Sequence, residues 1–216
     1  IIYKHLVLLI MQKLPGYIES SSMQIQVLTP MRKGNLGVEV LNKILQQYMN
    51  PPSEKKKEHE YGEFLFREGD KIMQTKNDYQ LEWEIVSKYD ITIDKGMGVF
   101  NGDMGVIYEI NDFAQAIVVE FEEKKRVTYQ YSQLDELELA YAITIHKSQG
   151  SEYDIVNIYI PEYSPFITRE MLYTAITRAK KKVRLWTTMD IYKKIVLTET
   201  PKRKTMISLW NHQDAA

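Results

Sequence analysis

Three things are scarce in this sequence, and each absence excludes a class of protein. None of the 216 residues is cysteine, so disulfides and thiolate metal sites are excluded, and a reducing, cytoplasmic location is favoured. The longest apolar run, Leu6–Met11, is far too short to span a bilayer, so no membrane role is expected. Neither charge dominates, with 28 basic residues against 29 acidic ones, so nucleic-acid binding would have to come from local patches.

The length and the first residue bound the domain organisation. A chain of 216 residues can form one large domain, or one domain with a small insertion. It begins with Ile1 and shows no signal-peptide pattern, which favours a fragment of a longer protein.

The densest group of reactive side chains lies in Ala140–Val156. One apolar run, Tyr141–Ile145, ends in a polar cluster, and a second, Ile155–Ile160, follows. The polar cluster contains Thr144, His146, Lys147, Ser148, Gln149, Gly150 and Glu152. A loop between two buried strands is where a rigid scaffold presents functional groups. We therefore predict that the functional site is organised on this loop.

The first part of the chain has an α/β pattern. Ile1–Leu14 has helical spacing, and Ile25–Leu28 is strand-like and runs into the turn Thr29–Gly34, which carries two cations. One helical face follows, made of Val38, Leu41, Ile44, Leu45 and Tyr48. Ser53–Glu60, with three lysines flanked by glutamates, has the composition of a solvated linker.

The middle of the chain predicts a small inserted β-barrel. Val106–Ile110, Ala116–Phe121 and Arg126–Tyr131 alternate in polarity and are joined by tight turns. Three such strands cannot join a parallel sheet without breaking it. We therefore place the barrel at residues 99–135, between two parts of an α/β domain at 1–98 and 136–190, with a basic tail at 191–216.

A further helix is predicted at Arg169–Ala179, with Thr168 as its N-cap. Its buried stripe would consist of Leu172, Ala175, Ile176 and Ala179. Arg178 lies roughly a quarter-turn or more off that stripe, at about 100° per residue, so its side chain can reach a neighbouring cleft. A strand at Val183–Thr188 follows.

Five segments, in this order, resemble the C-terminal half of superfamily 1 DNA helicases. The resemblance is to the RecD-type group, the exodeoxyribonuclease V alpha-subunit-like helicases. The segments are Val27–Gly34 (motif IV), Phe66–Tyr79 (the block after it), Asn101–Gly105 (the start of an inserted barrel), Ala142–Glu152 (motif V) and Leu172–Ala179 (motif VI). One segment alone is a weak signal, whereas five in the family's order are a strong one.

The resemblance implies an α/β fold of the RecA-like, P-loop NTPase type. This domain, 2A, would carry an inserted SH3-like barrel, 2B. No Gly-x-x-x-x-Gly-Lys-Ser/Thr occurs in the sequence. The resemblance therefore implies that the P-loop and the Mg²⁺ ligands for ATP belong to a preceding RecA-like domain, and that this chain alone is inactive.

The resemblance also implies nucleotide contacts. Arg178 and Arg32 match motif arginines that neutralise the charge developing on the γ-phosphate, and Gly150 and Glu152 match groups near the nucleotide. From the residues alone, Arg178 could equally be a surface cation beside Lys180–Lys182, Arg32 an exposed turn residue, and Glu152 a solvated acid.

Single-stranded DNA is the other implied ligand. Hydroxyl, imidazole and backbone N–H groups suit phosphate contacts that carry little sequence information. The candidate contacts are Thr144, His146, Lys147, Gln149, Thr75, Lys76, Asn77 and Tyr79. Tyr79 could be a stacking platform or a packing residue. The alternative function is a non-catalytic module that binds single-stranded DNA, or a protein partner through the barrel.

Overall fold

The computed structural model describes residues 24–34, 37–87, 89 and 91–200. The predicted helix at Ile1–Leu14 and the end of the predicted tail, 201–216, lie outside this range. No helix within it is long and apolar enough to cross a membrane. In chain order the elements are β1 (Ile25–Thr29), α1 (Val38–Met49), β2 (Glu58–Tyr61), β3 (Phe64–Arg67), β4 (Lys71–Gln74), β5 (Asp78–Val86), β6 (Thr92–Val99), β7 (Met104–Asn111), β8 (Ala116–Phe121), β9 (Lys125–Gln130), β10 (Leu137–Leu139), β11 (Ala142–Thr144), β12 (Tyr153–Tyr159), α2 (Arg169–Ile176), β13 (Ala179–Trp186) and α3 (Met189–Leu197).

A four-stranded parallel sheet, in the order β11-β1-β12-β13, forms the α/β part. Both faces of the sheet are covered, as its continuous apolar strands require. On one face, Val27 and Ile155 pack in the same cluster as Leu41 of α1. On the other, Val156 packs in the same cluster as Leu172 of α2.

A seven-stranded antiparallel sheet, in the order β10-β4-β7-β8-β9-β5-β6, is inserted between β1 and β11. The predicted start of the insertion at residue 99 is wrong, because 99 is the last residue of β6. Strands β4, β5 and β6 already belong to the inserted sheet, and β10 closes it at Leu139. The alternation of Tyr79, Leu81, Trp83 and Ile85 with polar residues in β5 was overlooked, and so was the pairing of β5 with β9.

Helix α1 fastens the insertion to the parallel sheet through a polar stripe. Asn42, Gln46 and Asn50 recur every fourth residue and are all buried. Gln46 and Asn50 donate to the buried carboxylate of Asp70, which also accepts from the Tyr141 hydroxyl at 2.9 Å. Burial raises the pKa of Asp70, and these donors oppose that rise.

Three further predictions need correction. The helix predicted at Arg169–Ala179 ends at Ile176, because the chain turns there into β13, and Ile176 is exposed rather than buried. Tyr48 of α1 is also exposed. The predicted linker Ser53–Glu60 ends inside β2, which pairs with β3. The N-cap is confirmed, because the Thr168 side chain accepts a hydrogen bond from the Met171 backbone at 3.3 Å.

Candidate functional site

Residues 145–152 connect β11 to β12 and run from the carboxyl ends of the parallel strands back to their amino ends. We call these two sides of the sheet its carboxyl edge and its amino edge. Thr144, the last residue of β11, is in register with Thr29, the last residue of β1. Tyr153 begins β12 two residues before Ile155, the partner of Ile25 at the start of β1. At about 3.3 Å per residue, the two ends of this connection lie roughly 20 Å apart along the strands. The predicted site loop therefore presents groups at both edges, and we call it the crossover.

Local hydrogen bonds shape the crossover into a turn. The Thr144 hydroxyl accepts from the Lys147 backbone at 3.3 Å, and the buried Ser148 donates its hydroxyl to the Ile145 carbonyl at 2.7 Å. The turn ends at Gly150, whose φ of +87° favours glycine, although a Cβ at this position would meet no atom within 4 Å beyond its chain neighbours. Glycine is thus required by the backbone angle rather than by crowding.

Two buried amides fix the segment that leads into the crossover. Asn42 of α1 donates to the carbonyls of Leu139 and Ala142 and accepts from the Ala142 backbone at 2.7 Å. Gln26 of β1 donates to the carbonyl of Ala140 at 3.1 Å. Sequence reasoning missed both residues, although polar groups within an apolar helical stripe were a usable signal at Asn42.

At the carboxyl ends of β1 and β11, three predicted site residues come together. Arg32, Thr144 and Lys147 line one groove of about 370 Å³. Glu138 of β10 joins the two cations, since its Oε1 accepts from Arg32 Nη2 at 2.8 Å and its Oε2 accepts from Lys147 Nζ at 2.8 Å. Arg32 also lies 3.5 Å from Glu39 at the start of α1.

Glu138 was missed because it pairs with Arg32 across 106 residues of sequence. Its side chain is 19% exposed, against 52% for Arg32 and 29% for Lys147. Burial would raise the pKa of Glu138, but the hydrogen bonds and charges of Lys147 and Arg32 outweigh it and hold this pKa below its usual value. In return, the hydrogen bond to Glu138 raises the pKa of Arg32.

The residues predicted to contact single-stranded DNA at Thr75–Tyr79 continue from this group along the insertion. The Thr75 hydroxyl donates to the Glu136 carbonyl at 3.0 Å, and Lys76 pairs with Asp135. Asn77 accepts from the Asn101 backbone at 2.9 Å, and Tyr79 meets Phe100 edge to face with 5.6 Å between ring centroids.

His146 and Gln149 have exposed side chains on the crossover. Tyr79 is 68% exposed, so its contact with Phe100 leaves most of it open to solvent.

A second group lies at the amino ends of β12 and β13. Arg178 follows α2 and donates to the carbonyls of Thr174 and Ser151 at 3.1 and 3.2 Å, and to the Thr177 hydroxyl at 3.2 Å. Within the described residues, no carboxylate forms an ion pair with it. Its guanidinium is therefore oriented by neutral acceptors alone.

Glu152 and Gly150 border a polar cleft of about 680 Å³ beside this edge. Glu152 lies 3.7 Å from Lys180, and the opposite wall comes from the insertion, through Asp103 and Lys125. Four predicted nucleotide-side groups are thus divided, with Gly150, Glu152 and Arg178 at the amino edge and Arg32 at the carboxyl edge.

The structure does not bring the two predicted catalytic arginines together. Arg178 turns to Ser151 at one edge of the sheet, and Arg32 turns to Glu138 at the other. The two arginines lie apart because Arg32 follows the end of β1 whereas Arg178 precedes the start of the parallel strand β13. The predicted convergence of both on one γ-phosphate stays a prediction.

Two protein families match successive parts of the chain. The ATP-dependent RecD-like DNA helicase SH3 domain matches residues 41–121, and the UvrD-like helicase C-terminal domain matches residues 139–186. The first match begins in α1 and extends through β8, in agreement with an insertion that begins well before residue 99.

Several relatives share about a third of their aligned residues with this chain. The ATP-dependent RecD2 DNA helicase of Deinococcus radiodurans is 35% identical over 159 residues, which cover 73% of this chain and 19% of the relative. The RecBCD enzyme subunit RecD of Mycolicibacterium smegmatis is 34% identical over 158 residues, covering 71% of this chain and 23% of that subunit. An uncharacterized protein of Methanocaldococcus jannaschii is 35% identical over 171 residues, which cover 74% of this chain and 14% of that protein. The chain thus spans less than a quarter of the length of these relatives.

A solved structure shares the fold. A Pif1 helicase, from work on DNA unwinding at forked duplexes by two coordinating Pif1 helicases, superposes with a TM-score of 0.51 at 18% identity. The superposition covers 89% of this chain and 44% of that one. With the parallel sheet and the SH3-domain match, it confirms the predicted fold class, a RecA-like parallel-sheet domain with an inserted SH3-like barrel.

Proposed function

Because this chain belongs to the RecD-type superfamily 1 helicases, as part of their C-terminal region, we propose that the full-length protein is an ATP-driven motor on single-stranded DNA. The two edges of the parallel sheet divide its ligands, with the DNA strand at the carboxyl edge and ATP at the amino edge. One observation carries this proposal: the crossover is a single short segment with candidate residues at both edges.

At the carboxyl edge, the single-stranded DNA follows the groove toward the insertion. Thr144, His146, Lys147 and Gln149 offer it hydroxyl, imidazole, ammonium and amide groups. Thr75, Lys76, Asn77 and Tyr79 extend the path, with the exposed ring of Tyr79 available for base stacking. Arg32 belongs to this edge by position, so we assign it to the DNA backbone rather than to the γ-phosphate.

At the amino edge, Arg178 acts as the arginine finger. A finger stabilises charge that develops on the transferred phosphoryl group, so it needs a guanidinium that no internal carboxylate neutralises. Arg178 meets this requirement, whereas Arg32 is paired with Glu138 and Glu39. Gly150 and Glu152 lie beside the same edge and would face the nucleotide.

The rest of the ATP site comes from another RecA-like domain of the same protein, which is the partner we propose for this edge. The described part of the chain offers no cluster of three carboxylate or imidazole groups for a divalent ion. The Mg²⁺ that accompanies ATP therefore does not fit the residues present, and no step is assigned to it. The 216-residue chain alone should hydrolyse no ATP, since it has no P-loop sequence. The predicted cytoplasmic location stays a prediction.

The test compares two substitutions in the full-length protein, one of which should lower ATP turnover and the other DNA binding. Arg178→Ala should lower DNA-stimulated ATP turnover by about 10³-fold or more while sparing ATP binding and DNA affinity. Arg32→Ala should weaken single-stranded DNA binding and leave turnover at saturating DNA nearly unchanged. Steady-state hydrolysis, nucleotide binding and fluorescence anisotropy with an oligonucleotide measure the three quantities.

Arg169→Ala is the matched control, because Arg169 is an exposed arginine at the other end of α2 and pairs with Glu170 and Glu199. It should change none of the three quantities. Turnover that survives Arg178→Ala would remove the finger assignment. DNA binding without any ATP turnover in the full-length protein would instead support the non-catalytic single-strand-binding alternative.

A further inference from the structure

At the carboxyl edge, Glu138 pairs with two cations of the groove. One carboxylate, 19% exposed, accepts a charge-assisted hydrogen bond of 2.8 Å from each of Arg32 and Lys147. A carboxylate between an arginine and a lysine has the charge and the acceptor geometry of a bound phosphate oxygen pair. Both cations lie in the groove that we assign to the DNA backbone, so the strand and Glu138 require the same donors.

From this geometry we infer that Glu138 competes with the DNA backbone for Arg32 and Lys147. A phosphate of the DNA displaces Glu138 when the motor binds the DNA, and Glu138 pairs with both cations again when the motor releases it. The inference rests on the proposed strand-binding role of this edge. Glu138 is a positioning residue, since it acts through Arg32 and Lys147 and makes no contact with DNA itself.

The strand that carries Glu138 connects this competitor to the insertion. β10 is the edge strand of the inserted sheet and pairs with β4, with Glu138 opposite Met73. After β10, the chain enters β11 three residues past Leu139, at Ala142, and the crossover follows β11 directly. Glu138 therefore belongs to the insertion, whereas Arg32 and Lys147 lie on loops of the parallel-sheet part. The insertion thereby supplies the group that limits the affinity for DNA.

The physical consequence is a limited affinity with a shallow salt dependence. Each phosphate that the protein neutralises releases counterions from the DNA and steepens the salt dependence of binding. While Glu138 stays nearby, the three groups contribute one net positive charge, and without its carboxylate they contribute two. A translocating motor has to release the strand in every cycle, and a competitor that is built into the site speeds this release.

Glu138→Gln in the full-length protein tests the inference. Anisotropy with a single-stranded oligonucleotide should show about 3- to 10-fold tighter binding, and the slope of log K against log salt should steepen by about 0.7. Glu138→Asp, which keeps the charge, should remain near wild type. In an Arg32→Ala/Lys147→Ala background, Glu138→Gln should have no further effect, because the cations for which it competes are gone.

Glu120→Gln is the matched control. It makes the same change of charge at another carboxylate that accepts from an arginine, since Glu120 pairs with Arg126 at 3.1 Å, and neither residue lines the groove. It should change the affinity less than about twofold.

Unchanged or weaker binding by a folded Glu138→Gln would overturn the inference, and Glu138 would then be a clamp that holds the cations in place. The proposed function would survive that result if Arg32→Ala and Lys147→Ala still weaken binding. If neither of these weakens binding, the strand assignment of the edge fails as well.

Discussion

Lys71 is a buried cation on β4, only 4% exposed, and its ammonium donates to Gln26 Oε1 at 2.8 Å. Burial lowers the pKa of Lys71 to about 8, from 10.5 for an ordinary lysine. The unfolded chain therefore binds a proton that the folded chain has lost between about pH 8 and 10.5. In this window the free energy of unfolding rises with pH, because the cost of burying the charge disappears.

We expect Lys71→Met to remove this pH dependence. Relative to the variant, the wild-type free energy of unfolding should rise by about 3 kcal/mol between pH 7 and 10.5. Urea unfolding followed by fluorescence at several pH values measures the difference. A difference that stays constant with pH would show that Lys71 is not a cation with a lowered pKa.

Single residues also show where sequence reasoning stops. Thr144, His146 and Lys147 could be selected because they lie in one contiguous polar segment. Glu138 could not, since nothing near it in sequence indicates that β10 lies against the end of β1. The sequence also did not indicate that Arg32 and Arg178 lie at opposite edges of the sheet. Their positions depend on the directions of strands that are far apart in the chain.

At the scale of elements, α1 contacts both the parallel sheet and the insertion. Leu41 and Leu45 cover the parallel sheet. The polar stripe of Asn42, Gln46 and Asn50 binds the insertion and the segment before the crossover. Hydrogen bonds across such a buried interface have to be complete, since an unmatched buried donor or acceptor costs about 1–3 kcal/mol.

Asn42→Leu should therefore destabilise the protein by about 3 kcal/mol or more, because it leaves the carbonyls of Leu139 and Ala142 and the backbone N–H of Ala142 without their partner. The lower midpoint of urea unfolding gives the change. Gln47→Leu, at an exposed neighbouring position, should stay within about 0.5 kcal/mol of wild type. Equal stability of both variants would mean that the stripe contributes nothing.

Elements with strong local signals could be predicted, and those defined by pairing could not. Helix α1 follows from its apolar period and ends where Asn50 precedes two prolines. The hairpin β5–β6 was missed although apolar and polar residues alternate strictly over Tyr79–Ile85 in β5. Its partner β6 contains two glycines and shows no comparable pattern. Helix α2 was predicted too long, because apolar residues at Ile176 and Ala179 continued a helical period that the turn at Arg178 interrupts.

At the scale of the whole molecule, the insertion and the parallel sheet share one core. A single cluster of buried residues joins Val27 and Ile155 of the parallel sheet to Ile107 and Tyr129 of the insertion, with Leu41 of α1 in the same cluster. Such a continuous core does not allow one part to unfold while the other stays folded. The order of motifs predicted two units in one fold, but their shared core depends on contacts that the sequence does not display.

We expect one cooperative unfolding transition. Trp83 reports on the insertion and Trp186 on the parallel sheet. In variants of this chain that keep only one of the two tryptophans, with Trp210 replaced by Phe, both fluorescence transitions should have the same midpoint in urea. Two separate midpoints would show that the insertion folds as an independent domain.

The short crossover also restricts how this protein can evolve. It spans the height of the sheet with eight residues, part of which form a turn held by Thr144 and Ser148. Side chains on this segment can be exchanged, but a residue added or removed would shift Glu152 relative to Thr144 and place one of them away from its edge. The tip of the β5–β6 hairpin carries no such restriction. Changes in chain length should accumulate at the hairpin, while the number of residues between β11 and β12 stays fixed.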